Sequence, residues 1–219
     1  MQTSKITDIQ KQKKHTHLYS IFVDDVFYCS LSDLQLSLLG LNIGKQLSRD
    51  ELEQIKSDSE IDKTYNRALF YLQYGPRTEY QMSSYLTQKG YDEQYISIII
   101  QKLKDSNLIN DYNYAQSFVT DKRTIGLKSD TYIKGHLLKK GVDKSIIESV
   151  LSKLDANNQL DTIKALMVKR YKQSEKYRDK QKMTQYLLRQ GFRYFDISNA
   201  FDELDLVFGS DKKMYNNPY

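Results

Sequence analysis

Basic side chains are concentrated in one part of the 219-residue chain, and phosphate binding is the chemistry that such a concentration would support. Residues 121–193 hold 18 Lys and Arg against 8 Asp and Glu, a net charge of +10, whereas the rest of the chain carries −5. Lys and Arg gain affinity for nucleic acids by releasing the counterions condensed on the phosphates. The uneven charge therefore indicates a phosphate-binding face, although Lys-rich helices can equally be solvated surface.

Individual basic residues in this stretch are candidates for contacts with phosphates or with an acidic protein surface. Residues 121–155 contribute Lys122, Arg123, Lys128, Lys139 and Lys140. The residues that follow contribute Lys169, Arg170, Lys172, Arg178, Lys180, Lys182, Arg189 and Arg193. The alternative for each of them is an ordinary solvated charge on a helix surface.

Tyrosine is abundant, at 18 of 219 residues, and part of it is interleaved with these charges. Tyr171 precedes Lys172, and Tyr177 lies between Lys176 and Arg178. Such rings can stack on unpaired bases, which contributes about 1–3 kcal/mol per base. Packing in the core or between helices is the other interpretation of these rings, and the one we favour.

The sequence contains no arrangement typical of catalysis, metal binding or cofactor binding. Cys29 is the single cysteine, which excludes an internal disulfide, and its apolar surroundings favour a buried thiol. His15 and His17 alternate along a predicted strand without a third metal ligand nearby. Residues 40–46 have three residues between two glycines, where a phosphate loop has four, and lack the magnesium-binding hydroxyl. We therefore expect a protein that is not an enzyme and has neither a metal nor a cofactor.

The composition is that of a folded protein without a membrane segment. Hydrophobic residues make up 39% and charged residues 28% of the chain, which has only two prolines. A run of about 18 apolar residues is not found, and residues 1–14 are polar and charged with no apolar signal segment behind them. These features predict a cytoplasmic protein that does not associate with a membrane.

Three segments of the chain align without gaps and reveal an internal repeat. They are residues 85–91, 136–142 and 186–192, and their glycines, Gly90, Gly141 and Gly191, are 51 and 50 residues apart. The same apolar residue types recur at fixed distances from each glycine. Leucine lies four residues before, isoleucine six after and leucine thirteen after, at Leu86, Leu137, Leu187, Ile96, Ile147, Ile197, Leu103, Leu154 and Leu204. This spacing predicts one apolar stripe on each helix.

Each repeated glycine is expected to end one helix and precede another, because glycine adopts the left-handed conformation without a Cβ penalty. Asp92 and Asp143 can cap the helices that follow, and Thr78 with Gln81 matches a capping box for the helix before Gly90. A further helical stretch precedes each pair, beginning at Ala68, Ala115 and Ala165. Three helices in about 50 residues are marginal alone, so neighbouring units must share apolar faces in a curved array.

The first 60 residues follow a different pattern. Residues 6–9, 17–23 and 26–29 are rich in β-branched and aromatic residues, and Asp24-Asp25 is a plausible tight turn, which predicts a small β-ribbon. Ser30 is expected to cap a short helix that reaches Leu39. Ser48 and Glu51 match a capping box for a helix that runs towards the first repeat, with residues 56–63 either helix interior or linker.

The expected fold class is mainly α, with three tandem three-helix repeats in an elongated curved array, preceded by a small β-ribbon and helix extension. The expected segments are 1–47 for this extension, 48–61 for a linking helix or linker, 62–110, 111–155 and 156–207 for the repeats, and 208–219 for a C-terminal tail.

Specific residues make this chain similar to a known family. They are found in order and at matching spacing over residues 62–207, and they comprise Ala68, Leu72, Arg77, Thr78, Leu86, Lys89, Gly90, Leu103, Lys104, Asp105, Leu108, Ile109, Asn110, Asp111, Ala115, Arg123, Leu137, Lys139, Lys140, Gly141 and Val142. In this pattern the chain resembles the RecX family of regulators of the RecA recombinase. It departs from the family at Thr78, Gln81-Met82, Ser129-Asp130 and His136, which affects individual contacts rather than the architecture.

The resemblance implies an arc that lies in the helical groove of a RecA–DNA filament and modulates, most often inhibits, RecA activity in recombination, DNA repair and the SOS response. It also implies a monomer with weak, non-specific binding to single- or double-stranded DNA. The thirteen basic residues named above are then the candidates for contacts with the filament or with DNA.

Two other functions remain open from the residues alone. The three-helix units can act as independent helix-turn-helix modules that place a helix in a DNA groove, although the helices that begin after Asp92, Asp143 and Arg193 lack the residues typical of base readout. Alternatively, the basic residues serve an acidic protein partner and the protein is a scaffold that does not contact DNA.

Overall fold

The computed structural model describes residues 3–13, 17–153, 157–204 and 206. Within these ranges the chain forms a four-stranded sheet followed by a succession of helices, which confirms the mainly α fold class with a small sheet at the start. The strands are β1 (Thr3–Lys11), β2 (Leu18–Val23), β3 (Val26–Ser32) and β4 (Gln46–Ser48). Helix α1 (Asp33–Leu38) lies between β3 and β4.

The remaining helices form three successive groups of three, which confirms the predicted three-helix repeats. The first group is α2 (Arg49–Leu72), α3 (Glu79–Gln88) and α4 (Glu93–Asp105). The second group is α5 (Asp111–Thr124), α6 (Asp130–Lys139) and α7 (Lys144–Lys153). The third group is α8 (Asn157–Gln173), α9 (Lys180–Arg189) and α10 (Tyr194–Asp202), with a 3-10 turn (Glu175–Arg178) between α8 and α9.

The fold divides into two compact units. One consists of the residues up to Gly75 together with Ser83–Asp105, and the other of Pro76–Met82 together with the residues from Ser106 onward. The first turn of α3 therefore belongs to the same unit as the second and third repeats.

The first unit contains the sheet, whose strand order is β3-β2-β1-β4 and whose neighbouring strands are all antiparallel. Asp24 and Asp25 have φ angles of 48° and 68°, the left-handed pair that a tight hairpin requires, so the predicted turn is confirmed. Strand β4 was not predicted, because three residues carry too little periodicity to stand out. The sheet packs on α2 around the buried residues Ile6, Ile21, Cys29, Leu31, Leu47, Leu52 and Ile55.

The starts of the first two helices are fixed by capping boxes. Ser48 and Glu51 form the predicted box, and α2 continues from it to Leu72, so residues 56–63 are helix interior. The predicted cap at Ser30 is wrong, because Ser30 still belongs to β3 and pairs with Ser20 of β2. Ser32 caps α1 instead, in a box with Gln35.

Each repeated glycine lies between the second and third helix of its group, as predicted. The φ angles of Gly90, Gly141 and Gly191 are 84°, 79° and 86°, in the left-handed region. The apolar stripes are also confirmed within the described residues, since Ile96, Ile147 and Ile197 are at most 1% exposed. The predicted stripe position Leu154 and the tail 208–219 lie outside the described residues.

Within the second unit, the start of one middle helix is joined to the end of the next middle helix by a hydrogen bond that recurs. The hydroxyl of Thr78, which caps α3, donates to the carbonyl oxygen of Lys140 at the end of α6, at 2.6 Å. The hydroxyl of Ser129, which caps α6, donates to the carbonyl oxygen of Gln190 at the end of α9, also at 2.6 Å. Thr78 and Ser129 are both fully buried, so each bond satisfies a hydroxyl that water cannot reach.

The recurring hydrogen bond requires a close approach that only glycine permits. A Cβ atom at Gly141 would lie 2.1 Å from Cβ of Tyr80, and one at Gly191 would lie 2.8 Å from Oγ of Ser129. At Gly90 nothing lies within 4 Å of such a Cβ. The second and third glycines therefore have two roles, whereas Gly90 only ends its helix.

We expect Gly141→Ala to destabilise the protein far more than Gly90→Ala. Both alanines must adopt a positive φ, at a cost of about 1–2 kcal/mol. Only the alanine at position 141 would also clash with Cβ and Cγ of Tyr80. Urea unfolding followed by circular dichroism should show a drop in the free energy of unfolding at least about 2 kcal/mol larger for Gly141→Ala. Equal losses would mean that the close approach is not present in solution.

Cys29 is expected to be almost inert towards thiol reagents in the folded protein. Its side chain is 2% exposed, and burial raises the pKa of the Cys29 thiol to about 11, so little thiolate exists near neutral pH. Alkylation by iodoacetamide at about pH 8 should be at least about 100-fold slower than in urea, where the pKa of the thiol returns to about 8.5. Rapid modification of the native protein would contradict the burial.

Candidate nucleic-acid interface

The thirteen basic candidates differ in their exposure. Eight of them are exposed: Lys139, Lys169, Lys172, Arg178, Lys180, Lys182, Arg189 and Arg193. Four are half-buried: Lys122, Lys128, Lys140 and Arg170. The remaining one, Arg123, is 2% exposed. Twelve of the side chains are therefore at least partly accessible to a partner.

Three pairs of these residues are related by the sequence spacing of the second and third repeats. Each pair is 50 residues apart, which is the distance between Gly141 and Gly191. Lys122 and Lys172 lie in the first helix of their repeats. Lys128 and Arg178 lie before the middle helix, and Lys139 and Arg189 lie at its end. Basic residues therefore recur at the spacing of the repeats, and each phosphate that such a residue neutralises adds affinity for nucleic acid.

Aromatic rings hold several of the half-buried and exposed cations. The ammonium of Lys122 lies 5.4 Å from the ring centre of Phe118, and that of Lys128 lies 5.1 Å from the ring centre of Tyr132. The guanidinium of Arg178 lies 5.6 Å from the ring centre of Tyr171. Contacts of this kind restrict the lysine and arginine stems without neutralising their charge, so the cations stay available to phosphates.

Arg123 does not belong to this accessible set. Its Nε and Nη2 donate to the two carboxylate oxygens of Asp130, at 2.8 and 2.7 Å, and its side chain is 3% exposed. The ion pair joins the end of α5 to the first turn of α6. Arg123 is therefore a structural residue in this fold, which its position in the charged stretch did not reveal.

Two further candidates have partners within their own repeat. Nε of Arg170 donates to the hydroxyl of Tyr186 at 2.9 Å, which fixes α8 to α9. Nε of Arg193 donates to the carboxylate of Asp196 at 2.8 Å, although the Arg193 side chain is 78% exposed. Both guanidiniums retain additional N–H donors, since each has five.

Arg77 extends the repeated charge to the first repeat and was not among the candidates. It lies one residue before the cap Thr78, as Lys128 does before Ser129 and Arg178 before Asp179. The sequence already contains this pattern, because Arg77, Lys128 and Arg178 are 51 and 50 residues apart, as the three repeated glycines are.

The interleaved tyrosines of the third repeat mainly pack against its core, which is the interpretation favoured above. Tyr171, Tyr177 and Tyr186 lie against a cluster built from Ile163, Leu166, Met167, Met183, Leu187, Phe192, Ile197, Ala200 and Phe201. The rings of Tyr177 and Tyr186 lie 5.1 Å apart in a tilted arrangement.

A groove in the second unit joins aromatic, amide and basic groups, and sequence analysis missed it. It has a volume of about 430 Å³ and is formed by the residues before α3, the α4–α5 loop and one face of α5. Tyr114 and Phe118 line it together with Arg77, Asn107 and Asn113. Its members lie up to 45 residues apart in sequence, so no local motif could have indicated it.

The residues that depart from the family pattern still support the helices. Thr78 and Gln81 form a capping box, with both hydrogen bonds at 3.2 Å. Ser129 caps α6 by accepting from the backbone amide of Tyr132. The ring of His136 stacks on that of Tyr132, with ring centres 3.9 Å apart. These exchanges therefore leave the architecture unchanged.

Neither a metal cluster nor a membrane-spanning helix is found in the described part of the chain. There, no three or more His, Cys, Asp or Glu side chains gather in a manner suited to a metal ion, and His15 lies outside this part. None of the helices in the described ranges is both long and apolar enough to cross a membrane.

Comparison with known proteins agrees with the three-helix repeats. Three models of one family match the chain, namely the first, second and third three-helix domains of RecX, at residues 65–103, 110–151 and 157–201. The chain belongs to the RecX family. A regulatory protein RecX from Halalkalibacterium halodurans is 30% identical over 208 residues, which cover 92% of this chain and 78% of that protein.

Solved RecX structures resemble the fold described here. A crystal structure of a regulatory protein RecX has a TM-score of 0.70 and 30% identity, and the match covers 91% of this chain and 100% of that one. The structure of RecX from Lactobacillus salivarius has a TM-score of 0.61 and 38% identity, and the match covers 68% of this chain and 98% of that one. RecX relatives are named regulatory proteins rather than enzymes.

We expect Arg123→Ala to affect stability, in contrast to the exposed candidates. Removal of the guanidinium leaves Asp130 without its bidentate partner, which should lower the free energy of unfolding by about 2–4 kcal/mol. Lys169→Ala serves as the matched control and should change stability by no more than about 0.5 kcal/mol. Urea unfolding measures both. An unchanged stability of Arg123→Ala together with weaker DNA binding would instead make Arg123 an interface residue.

Proposed function

We propose that this RecX family protein binds the RecA–DNA filament and lowers RecA ATP hydrolysis, strand exchange and recombination. The observation that carries the proposal is the recurrence of basic residues at equivalent positions of successive repeats within a family of regulatory proteins. A partner with a repeating phosphate backbone complements a charge pattern that repeats in the same way. The protein acts as a cytoplasmic monomer in this proposal, in the compartment where bacterial DNA is repaired.

The interface consists of the accessible basic residues of the second and third repeats, with Arg77 added from the first. Lys139, Lys172 and Arg189 are the best representatives, since all three are exposed and each lies 50 residues from another basic candidate. Contacts between Lys or Arg and phosphates are independent of base sequence, so the DNA contact is non-specific and weakens with salt. Arg123 is omitted because its charge is buried against Asp130.

Sequence-specific readout by independent helix-turn-helix modules is less well supported. The third helix of a repeat would have to present the residues at its start to base edges. At the start of α7, the carboxylate of Asp143 accepts from the backbone amide of Ser145 at 2.7 Å, which occupies it as a cap. At the start of α10, Arg193 is paired with Asp196.

The test measures ATP hydrolysis and strand exchange by the cognate RecA at increasing concentrations of this protein. Binding to bare DNA is measured in parallel at several salt concentrations. Inhibition at amounts too small to coat the DNA is the expected result. Unaltered RecA activity with salt-sensitive DNA binding would favour an autonomous DNA-binding protein, and neither effect would favour a scaffold for another partner.

We expect the triple variant Lys139→Gln, Lys172→Gln, Arg189→Gln to inhibit RecA more weakly than the unmodified protein. Each phosphate contact that is lost should reduce the slope of log affinity for duplex DNA against log salt by about 0.9. The matched control is Lys13→Gln, Lys56→Gln, Lys89→Gln, which removes three exposed charges outside the second and third repeats. Equal effects of the two triple variants would show that net charge, rather than this face, governs binding.

A further inference from the structure

The groove formed by α5, the α4–α5 loop and the residues before α3 has the composition of a nucleobase site. Its volume of about 430 Å³ falls within the range of about 300–1,000 Å³ that is usual for small-ligand sites. We propose that it binds one unpaired base of single-stranded DNA. This proposal rests on the proposed function and adds to it the form of DNA that the protein recognises.

Two rings of α5 supply a stacking surface. Tyr114 and Phe118 are one helical turn apart, their ring centres are separated by 6.3 Å, and their planes are within 13° of parallel. Both line the groove and both are half-buried, so each is held by the core while part of it remains accessible. A base that enters the groove can therefore stack on a ring that is already in place, without a further entropy cost for ordering that ring.

Two lysines place positive charge beside the same rings. The ammonium of Lys140 lies 5.8 Å from the ring centres of both Tyr114 and Phe118, and that of Lys122 lies 5.4 Å from the ring centre of Phe118. A nucleotide has an uncharged flat base attached to a charged backbone, and this combination of rings and lysines matches both parts. Arg77 lines the groove and adds a third cation.

Short polar side chains in the groove can bond to the edge of a base. Asn107, Asn110, Asn113 and Asp121 all line it. Asn110 is already engaged, because its oxygen accepts from the backbone amide of Asn113 and its nitrogen donates to Asn107. The Asp121 carboxylate accepts hydrogen bonds but repels phosphate, so it favours a base rather than the backbone on its side of the groove.

Aromatic rings at these two positions are not shared by the third repeat. The buried residues Ala115 and Val119 of α5 correspond to Ile163 and Met167 of α8, 48 residues later. At the same offset Tyr114 and Phe118 correspond to Thr162 and Leu166. The first helix of a repeat can thus be built without aromatic residues at these positions.

A base within a duplex is stacked and paired, so it cannot enter the groove unless it is flipped out. The natural source of free bases is therefore single-stranded DNA, while a free nucleotide offers the same base and phosphate. The two sources are distinguished by competition, since a base presented on a strand gains affinity from neighbouring phosphates and a free nucleotide does not.

We expect Phe118→Leu to weaken binding of a thymidine oligonucleotide of about 15 nucleotides by roughly tenfold, because one stacking contact contributes about 1–3 kcal/mol. Fluorescence anisotropy of the labelled oligonucleotide measures the affinity. The slope against log salt should stay unchanged, because no charge is lost. Phe195→Leu is the matched control, since Phe195 is a 71% exposed ring of the third repeat, and it should bind like the unmodified protein.

A second measurement uses the unmodified protein and does not depend on the folding of a variant. An oligonucleotide that carries 5-iodouracil is bound and irradiated, and the cross-linked peptide is identified by mass spectrometry. The expected cross-link falls on Tyr114 or Phe118. If the strand is the ligand, an excess of the matching free nucleotide should leave the cross-link unchanged. Efficient loss of the cross-link under these conditions would assign the groove to free nucleotides.

Cross-links confined to other tyrosines, or equal affinities of Phe118→Leu and Phe195→Leu, would overturn the base site. The RecA assays separate this failure from failure of the proposed function. If Phe118→Leu binds single-stranded DNA normally but the triple charge variant loses inhibition of RecA, only the base site is refuted. If RecA is unaffected by the unmodified protein, the proposed function is refuted whatever the cross-link.

Discussion

The repeated part of the second unit depends on one hydrogen bond that recurs between neighbouring repeats. The hydroxyl that caps a middle helix, on Thr78 or Ser129, also donates to the last carbonyl of the next middle helix, at Lys140 or Gln190. Both hydroxyls are buried, so the loss of either bond would leave a polar group unsatisfied in the core. A glycine follows each carbonyl, and a Cβ atom there would clash with Tyr80 at Gly141 or with Ser129 at Gly191.

Basic residues lie next to the capping residues of the middle helices. Lys128 directly precedes Ser129, which caps α6 and makes the recurring bond. Arg178 directly precedes Asp179, which caps α9. The backbone of Lys128 is therefore next to a contact between two repeats, and that of Arg178 is next to the cap of α9. Aromatic neighbours such as Tyr132 and Tyr171 then restrict the side chains. The local positions of these cations are thus determined by helix caps and neighbouring rings as well as by the sequence.

The groove on α5 illustrates how a repeat can diverge while its scaffold is retained. Ala115 and Val119 remain buried in the core of the second repeat, as Ile163 and Met167 are in that of the third. The same helix carries the half-buried rings of Tyr114 and Phe118, where the third repeat has Thr162 and Leu166. A stable array of similar repeats can therefore hold a site within one of its repeats.

The sequence by itself determined the elements that are specified locally. Periodic apolar residues, left-handed glycines and capping residues act within a few positions of one another, so the three-helix repeats, the Asp24-Asp25 hairpin and the box at Ser48 could all be predicted. Only the tertiary structure decided which charges are accessible and which groups meet. Arg123 is buried against Asp130, Gly141 must accommodate Tyr80, and Pro76, Asn107 and Phe118 line one groove. These contacts join residues from different elements, and neither composition nor spacing encodes the distance between them.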